Sequence, residues 1–359
     1  MDRYNRQTIL PEIGARGQER LAQARVLVIG AGGLGCPALI YLAGAGIGTI
    51  GIIDFDTVDI SNLQRQILFT PHDQGRPKAE VAAARLREFN PDITVHAYHE
   101  ELTDKNAVSL FSGYDIIIDG TDNFSAKYLI NDTAVKLERT VIYGAIQGYD
   151  GQVSVFAPHE GTPCYRCLYP QPPQGIVLNC AEAGVLGSVA GMIGTLQATE
   201  TIKAILGHPS LETLAGRLWT INLKTAEMQI FSFARRADCP VCSRAAEDIS
   251  LAYASPACSA ATIVSEISPQ DLRTIPDSVL VDVRELGEWE TGHIPNARHL
   301  PLSALQHNPE LFSSVKGVSN VLYCQRGGRS RTAAEILLRA GYTDIYSLQG
   351  GYEAWSRKA

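Results

Sequence analysis

From Arg25 onward, short apolar runs alternate with stretches whose apolar residues recur at helical spacing. Residues 26–29, 50–54, 93–98 and 115–119 read as strands, and 34–45, 79–89 and 126–137 as helices between them. Regular strand–helix alternation predicts a mainly parallel sheet with helices on its faces. Pro77 stands where a first helical turn tolerates a missing N–H. Three later apolar runs, 152–156, 217–223 and 228–233, are expected to extend the sheet, with a long helix over about 185–206 between them. Between 245 and 261 the pattern gives way to small and polar residues, including Ser250, Ser255, Pro256 and Ser259, as in a linker. A fresh α/β pattern follows, with strands near 279–283 and 321–323. The expected fold class is therefore α/β, with a doubly wound domain over 1–245, a linker over 246–262 and a smaller α/β domain over 263–359.

Composition narrows the classes. The 359 residues are 45% hydrophobic and 19% charged, ordinary for a packed protein that exceeds one core. A net charge of -7 without a basic cluster argues against direct nucleic-acid binding. The start, from Met1 to Arg6, lacks the apolar core of a signal peptide, and the apolar stretch 185–206 is interrupted by Gln197, Glu200 and Lys203. A cytoplasmic protein without a membrane segment is expected. In such a chain, eight cysteines point to metal binding or catalysis more than to disulfides.

Gly30, Gly32 and Gly35 form G-x-G-x-x-G between a strand and a helix, and Asp54 ends the next strand where a ribose hydroxyl would lie. That set alone also fits a nicotinamide-dependent oxidoreductase. Gly33 adds another position at which backbone can approach a phosphate. Just beyond lie Asp56, Ser61, Asn62, Arg65, Gln66 and Lys78, a polar segment carrying cations. A triphosphate attacked at its α-phosphorus needs cations on the departing pyrophosphate, and magnesium, roles suited to Arg65, Lys78 and Asp122. ATP fits this segment better than a dinucleotide, although either cation alone reads as a solvated surface charge.

The stretches GAGGLG (30–35), DFDTVDISNLQRQ (54–66), GRPKAE (75–80) and TDN (121–123) resemble the MoeB/ThiF family of ubiquitin-activating-like adenylyltransferases, over roughly residues 1–245. The resemblance implies a Rossmann-like sheet. It also implies ATP held by the glycine loop, Asp54, Ser61, Asn62, Leu63, Gln64, Arg65, Lys78, Asp122 and Asn123, with Asp122 assisting magnesium. Arg6 would reach the phosphates of a second subunit, making the catalytic unit a homodimer.

Cys164 and Cys167 form one C-x-x-C and Cys239 and Cys242 another, both in turn-like, proline-containing sequence. Such a pair of knuckles can close one tetrahedral zinc site with no open position. Neither has the strand-then-helix context of a redox pair. Cys180 lies in a glycine-bearing loop at the position where members of the family resembled place a cysteine capable of thioester or acyl-disulfide chemistry; an inert thiol is the alternative. Cys36 and Cys258 carry no expected role.

Cys324 follows an apolar run and opens Cys-Gln-Arg-Gly-Gly-Arg-Ser before a helix-like stretch, 332–339. Two glycines let backbone amides turn inward, and the helix start with Arg326 and Arg329 predicts positive potential around a reactive thiolate or persulfide. The flanking stretches VLVDVRELGEWETGHIPNARHLP (279–301) and LQGGYEAW (348–355) resemble a rhodanese domain over about 263–359. In that resemblance Asp282 and Arg284 are structural supports and Trp289 and Trp355 core residues. The C-x₄-R spacing to Arg329 makes a tighter loop than the C-x₅-R of phosphatase-like relatives, as suits sulfur. Gln325 departs from the arginine common after the cysteine.

Together these readings predict an adenylyltransferase and sulfurtransferase. A ubiquitin-like sulfur-carrier protein ending in Gly-Gly would be adenylated with ATP and magnesium, then given sulfur from a Cys324 persulfide. The donor would be a cysteine desulfurase or thiosulfate, and the product a thiocarboxylate for molybdopterin, thiamin or thiolated-tRNA synthesis. The rival readings are the oxidoreductase and a non-enzymatic scaffold for a sulfur relay.

Overall fold

Residues of β1 (Arg25–Ile29) alternate between two cores: Val26 and Val28 join one apolar cluster, Leu27 and Ile29 another on the opposite face. A strand buried on both faces must be apolar throughout, and this explains its near-continuous hydrophobic run. The computed structural model describes residues 3–172, 184–251, 264–274, 278–313 and 318–356. These form two compact units, Met1–Tyr253 and Ala254–Ala359.

In the first unit, β1 is joined by β2 (Thr49–Ile53), β3 (Thr94–Tyr98), β4 (Ile116–Asp119), β5 (Thr140–Gln147), β6 (Asp150–Phe156), β7 (Arg217–Asn222) and β8 (Glu227–Ser232). The sheet order is β3-β2-β1-β4-β5-β6-β7-β8. Neighbours are parallel from β3 through β5 and antiparallel from β5 through β8. The expected extension of the sheet is present, but it reverses direction. The reversal is made by β6; β5, which still runs parallel to β4, escaped the sequence pattern because Gly144 interrupts its apolar run. Gln197 occupies the space beside that glycine: a Cβ there would lie 2.6 Å from the Gln197 amide.

The helices used below are α1 (Gly35–Ala45), α2 (Lys78–Phe89), α3 (Phe124–Lys136), α4 (Gly187–Leu206) and, in the second unit, α5 (Gly328–Arg339). The polar residues that interrupt α4 are structural: Gln197 and Glu200 are buried, and Glu200 accepts from Lys203 Nζ and from the Leu214 backbone N–H. Among the described residues no helix is long and apolar enough to cross a membrane.

The second unit holds an all-parallel sheet ordered β11-β10-β12-β13-β9. Its strands are β9 (Ser265–Ile267), β10 (Val279–Asp282), β11 (Arg298–His299), β12 (Asn320–Tyr323) and β13 (Ile345–Leu348). Ile267, Ile294, Val321, Tyr323 and Leu348 form one of its buried apolar clusters. Trp289 is not in that cluster. It is half-buried and stacks on His293 with ring centroids 3.6 Å apart, because its short helix lies at the rim. Trp355 is also half-buried, packed on the core's edge beside Tyr352.

Candidate functional site

Sheet order reverses between β1 and β4, and the crevice of an open α/β sheet lies at the carboxyl ends of the strands at such a point. The glycine loop fills the turn from β1 into α1. Gly30 has φ 91° and packs on Gly120, where a Cβ would lie 2.9 Å from the carbonyl oxygen. Gly35 is tighter, since its Cβ would lie 1.9 Å from the Gly30 oxygen. Gly32 and Gly33 remain partly exposed, with the Arg65 stem 3.4 Å from where a Gly33 side chain would start. The loop therefore presents backbone, as a phosphate site requires.

Asp54 is buried at the end of β2 and accepts the Ala31 amide on one oxygen, at 2.7 Å, and the Asp56 amide on the other, at 2.8 Å. It thus braces the glycine loop, and each oxygen keeps acceptor capacity. Burial pushes its carboxyl above the ordinary value despite Lys78 and the two amides.

Lys78 opens α2 and its Nζ lies 2.8 Å from Asp56, so this cation arrives paired. Arg65 NH1 donates to the Ser61 carbonyl at 3.2 Å, and Ser61 to Asp59. Leu63 packs against the main core, while Gln64 lies against Gly187 at the start of α4. Asp122 is exposed beyond β4, and Asn123 caps α3 by accepting the Ala126 amide at 2.8 Å. Glycine loop, Asp54, Asp122 and Asn123 are thus all carried at the carboxyl ends of β1, β2 and β4. Arg6 is exposed on the short helix Asn5–Thr8.

The two cysteine pairs converge. The four sulfurs lie within 4.8 Å of one another and are buried, with Cys164–Cys239 at 3.6 Å and Cys167–Cys242 at 3.5 Å. Thiolates at ~2.3 Å from a tetrahedral centre stand about 3.8 Å apart, so this cluster can hold a metal. The Arg236 amide donates to Cys167 Sγ at 3.4 Å, and Arg235 to the Cys242 carbonyl. Residues that follow the second knuckle pack onto it: Ile249 is buried in the cysteine cluster and Lys136 Nζ donates to the Ala246 and Ile249 carbonyls. Cys36, by contrast, is wholly buried, donates to the Ala31 carbonyl, and is pushed up to about 12 by burial, as befits an inert thiol.

Cys324 follows β12, with its Sγ accepting the Gly327 amide at 3.1 Å. Gly327, at φ 103°, caps α5. Beneath the loop Gly351, at φ 60°, would place a Cβ 2.2 Å from the Cys324 oxygen, so only glycine fits. The Arg284 guanidinium is buried, bonded to both Asp282 oxygens, and holds Gln325 Oε1 at 3.1 Å. Arg326 and Arg329, expected to lend positive potential, are each also paired with a carboxylate, and Arg329 still acts on Cys324 through its charge. Arg329 makes two bonds of 2.6 Å to Glu288, and Arg326 one of 3.0 Å to Glu353. Glu288 and Glu353 lie far from the loop in sequence, so these pairings were invisible in it.

Comparison with known proteins fits this geometry. Residues 4–241 match the ThiF family, about two thirds of the chain. The chain belongs to the ThiF family. Residues 268–358 match the rhodanese-like domain. It is 42% identical over 99% of its length, and 93% of the relative's, to a probable adenylyltransferase/sulfurtransferase MoeZ of Mycobacterium tuberculosis. To the adenylyltransferase and sulfurtransferase uba4 of Ogataea parapolymorpha it is 39% identical, covering 99% of this chain and 96% of that one. A sulfur carrier protein adenylyltransferase of Thermus thermophilus is 47% identical over 67% of this chain and 90% of its own. The E. coli MccB structure with ATP shares the fold, with TM-score 0.60 at 24% identity over 68% of this chain and 75% of that one. This ThiF-family protein is accordingly an enzyme, an adenylyltransferase and sulfurtransferase.

Sequence reasoning missed one feature of the ThiF-family crevice. Asp119, the last residue of β4, and Lys127, one turn into α3, form a buried ion pair of 3.0 Å. The signal was available: a charged residue ending a wholly buried strand needs a partner. Gln197 completes the group by donating to the Asp119 and Ile142 carbonyls. Cys180 and Cys258 lie outside the described residues.

Proposed function

We propose that the first unit adenylates the C-terminal Gly-Gly carboxylate of a small ubiquitin-like sulfur-carrier protein and that Cys324 supplies the sulfur. The observation that carries the reading is a thiol centred in a glycine-hinged loop within a chain whose other unit presents a backbone-lined phosphate turn. In the first step the carrier carboxylate attacks the α-phosphorus of ATP, an acyl-adenylate forms and pyrophosphate leaves. Backbone at Gly32 and Gly33, with Arg65 and Lys78, binds the phosphates, and Asp54 the ribose. Ser61, Asn62, Leu63, Gln64 and Asn123 shape the crevice. Asp122, an exposed carboxylate at its rim, suits magnesium, which supplies charge neutralisation on the phosphates. Arg6 reaches the crevice of a second copy, so the working unit is a homodimer.

In the second step the outer sulfur of a Cys324 persulfide attacks the acyl carbon and AMP departs, leaving an acyl disulfide between carrier and Cys324. A thiolate, from Cys180 or an external thiol, then attacks the Cys324 sulfur; the carrier leaves as a thiocarboxylate and a disulfide remains. Zinc on Cys164, Cys167, Cys239 and Cys242 fills a structural site, with four sulfurs and no open position. The carrier serves molybdopterin, thiamin or thiolated-tRNA synthesis in the cytoplasm.

The test is mass spectrometry of candidate carriers incubated with the protein, ATP and a sulfur source. Exchange of oxygen for sulfur at the terminal glycine is expected. Nicotinamide-dinucleotide binding without carrier-dependent exchange of pyrophosphate into ATP would overturn the reading.

A further inference from the structure

Three carbonyls of the Cys324 loop are held from outside it. The Tyr352 N–H donates to the Cys324 oxygen at 2.8 Å and the Glu353 N–H to the Gln325 oxygen at 3.1 Å. The third, that of Gly327, accepts the Arg331 N–H at 3.1 Å and also a side chain, the Ser330 hydroxyl, at 3.0 Å. In a trans peptide the N–H points opposite to the C=O, and none of the described peptide bonds is cis. Carbonyls held outward therefore turn the N–H groups of Gln325, Arg326 and Gly328 into the loop, where the Gly327 N–H already meets the sulfur at 3.1 Å.

Ser330 does not act alone. It is wholly buried in the first turn of α5, and its Oγ lies 2.9 Å from that of Ser347, wholly buried on β13. A serine hydroxyl has one proton, and that of Ser330 goes to the Gly327 carbonyl, so the proton between the two hydroxyls belongs to Ser347. The relay runs from Ser347 to Ser330 to the Gly327 carbonyl, each link polarising the next. Otherwise this side of α5 buries Ala333, Ala334 and Leu337. Two hydroxyls among such residues add little stability, because an apolar pair of the same shape serves nearly as well. What they supply is direction. We infer that Ser330 and Ser347 are positioning residues of the sulfur site: their hydroxyls fix the plane of the Gly327–Gly328 peptide, so that the Gly328 N–H joins that of Gly327 in facing the Cys324 sulfur and supports its thiolate. The inference rests on Cys324 being the sulfur-bearing residue.

The experiment treats the full-length protein with iodoacetamide, follows alkylation of Cys324 by peptide mass spectrometry, and measures urea denaturation alongside. Ser330→Ala and the double variant Ser330→Ala/Ser347→Ala should each slow the alkylation about fivefold, the scale of one hydrogen bond. Ser330→Thr, which keeps the hydroxyl, should restore the rate. Ser330→Ala strands the Ser347 hydroxyl and should lower the unfolding midpoint; the double variant leaves no orphan and should regain the midpoint without regaining the rate. A packing role alone predicts the opposite sign, because a loosened loop uncovers Cys324, now only 2% exposed, and speeds its alkylation. Unchanged or faster alkylation in the double variant overturns the inference while Cys324 keeps its role. If Cys324 of the unsubstituted chain does not react, the assignment of this thiol falls, and the inference with it. The double variant decides the matter where Ser330→Ala fails to fold, and Ser347→Ala, expected to slow alkylation by a smaller factor, decides it where both do.

Discussion

Lys127 Nζ lies 3.0 Å from the Asp119 carboxylate and 2.9 Å from the Gly144 carbonyl oxygen, tying the first turn of α3 to the end of β4 and the middle of β5. The same Nζ stands 4.9 Å from the centre of the Tyr143 ring. Asp122 and Asn123 lie between the two charged residues in sequence, so the pair holds both ends of the segment that carries them.

Lys127→Met leaves a buried carboxylate without its cation, which costs about 3–5 kcal/mol. Urea denaturation should show that loss, with Lys127→Arg retaining more of the stability. Because the Asp122 segment is loosened, the KM for ATP should rise in whichever variant folds. An unchanged denaturation midpoint in Lys127→Met would show that the pair contributes nothing.

Cys324→Ala should separate the two half-reactions. Carrier-dependent exchange of pyrophosphate into ATP is expected to continue at near the unsubstituted rate, whereas thiocarboxylate formation drops by at least a hundredfold. Full thiocarboxylate yield from Cys324→Ala in a purified system would remove this thiol from the relay.

Cys239 lies 3.6 Å from Cys164, so Cys239→Ser removes one ligand from a closed set of four. Metal content per chain, measured after gel filtration, should fall from near one to near zero. Thermal stability should fall with it, since binding energy at such a site is folding energy. The segment beyond the second knuckle, held by Lys136, should become protease-sensitive.

Glu288 sits below the usual carboxylate range because of its two hydrogen bonds from Arg329, burial opposing them. A depressed folded-state value means that the stabilisation is present above the unfolded value of about 4.3 and is lost as pH falls through the lower folded value. The unfolding midpoint of the unsubstituted chain should therefore exceed that of Glu288→Gln at neutral pH, with the gap closing as pH falls below the unfolded value. Tryptophan fluorescence reports it, since Trp289 is next to this residue. A gap that persists at low pH would contradict the electrostatic origin.

Much of the first unit was legible because its signals are local. Buried parallel strands need continuous apolar residues, so β1, β2 and β4 announced themselves, and α2 began where Pro77 permitted. Strand β5 was hidden because a glycine there makes room for a glutamine that is 53 residues away by number, Gly144 to Gln197. The two tryptophans of the second unit were expected in its core from the rhodanese resemblance, yet both are half-buried, which depends on how their short helices pack in three dimensions.

The amino-acid order by itself determined the motifs: a glycine turn after a strand, two C-x-x-C knuckles, and a cysteine before Gly-Gly. Each draws its meaning from neighbours a few residues away, whose backbone geometry is covalently constrained. The tertiary structure alone decided which charges are spent. Lys78 meets Asp56, Lys127 meets Asp119, and Arg326 and Arg329 meet Glu353 and Glu288, while the two knuckles meet across 75 positions. Coulomb and hydrogen-bond energies depend on distance through space, and that distance exists only once the chain has folded.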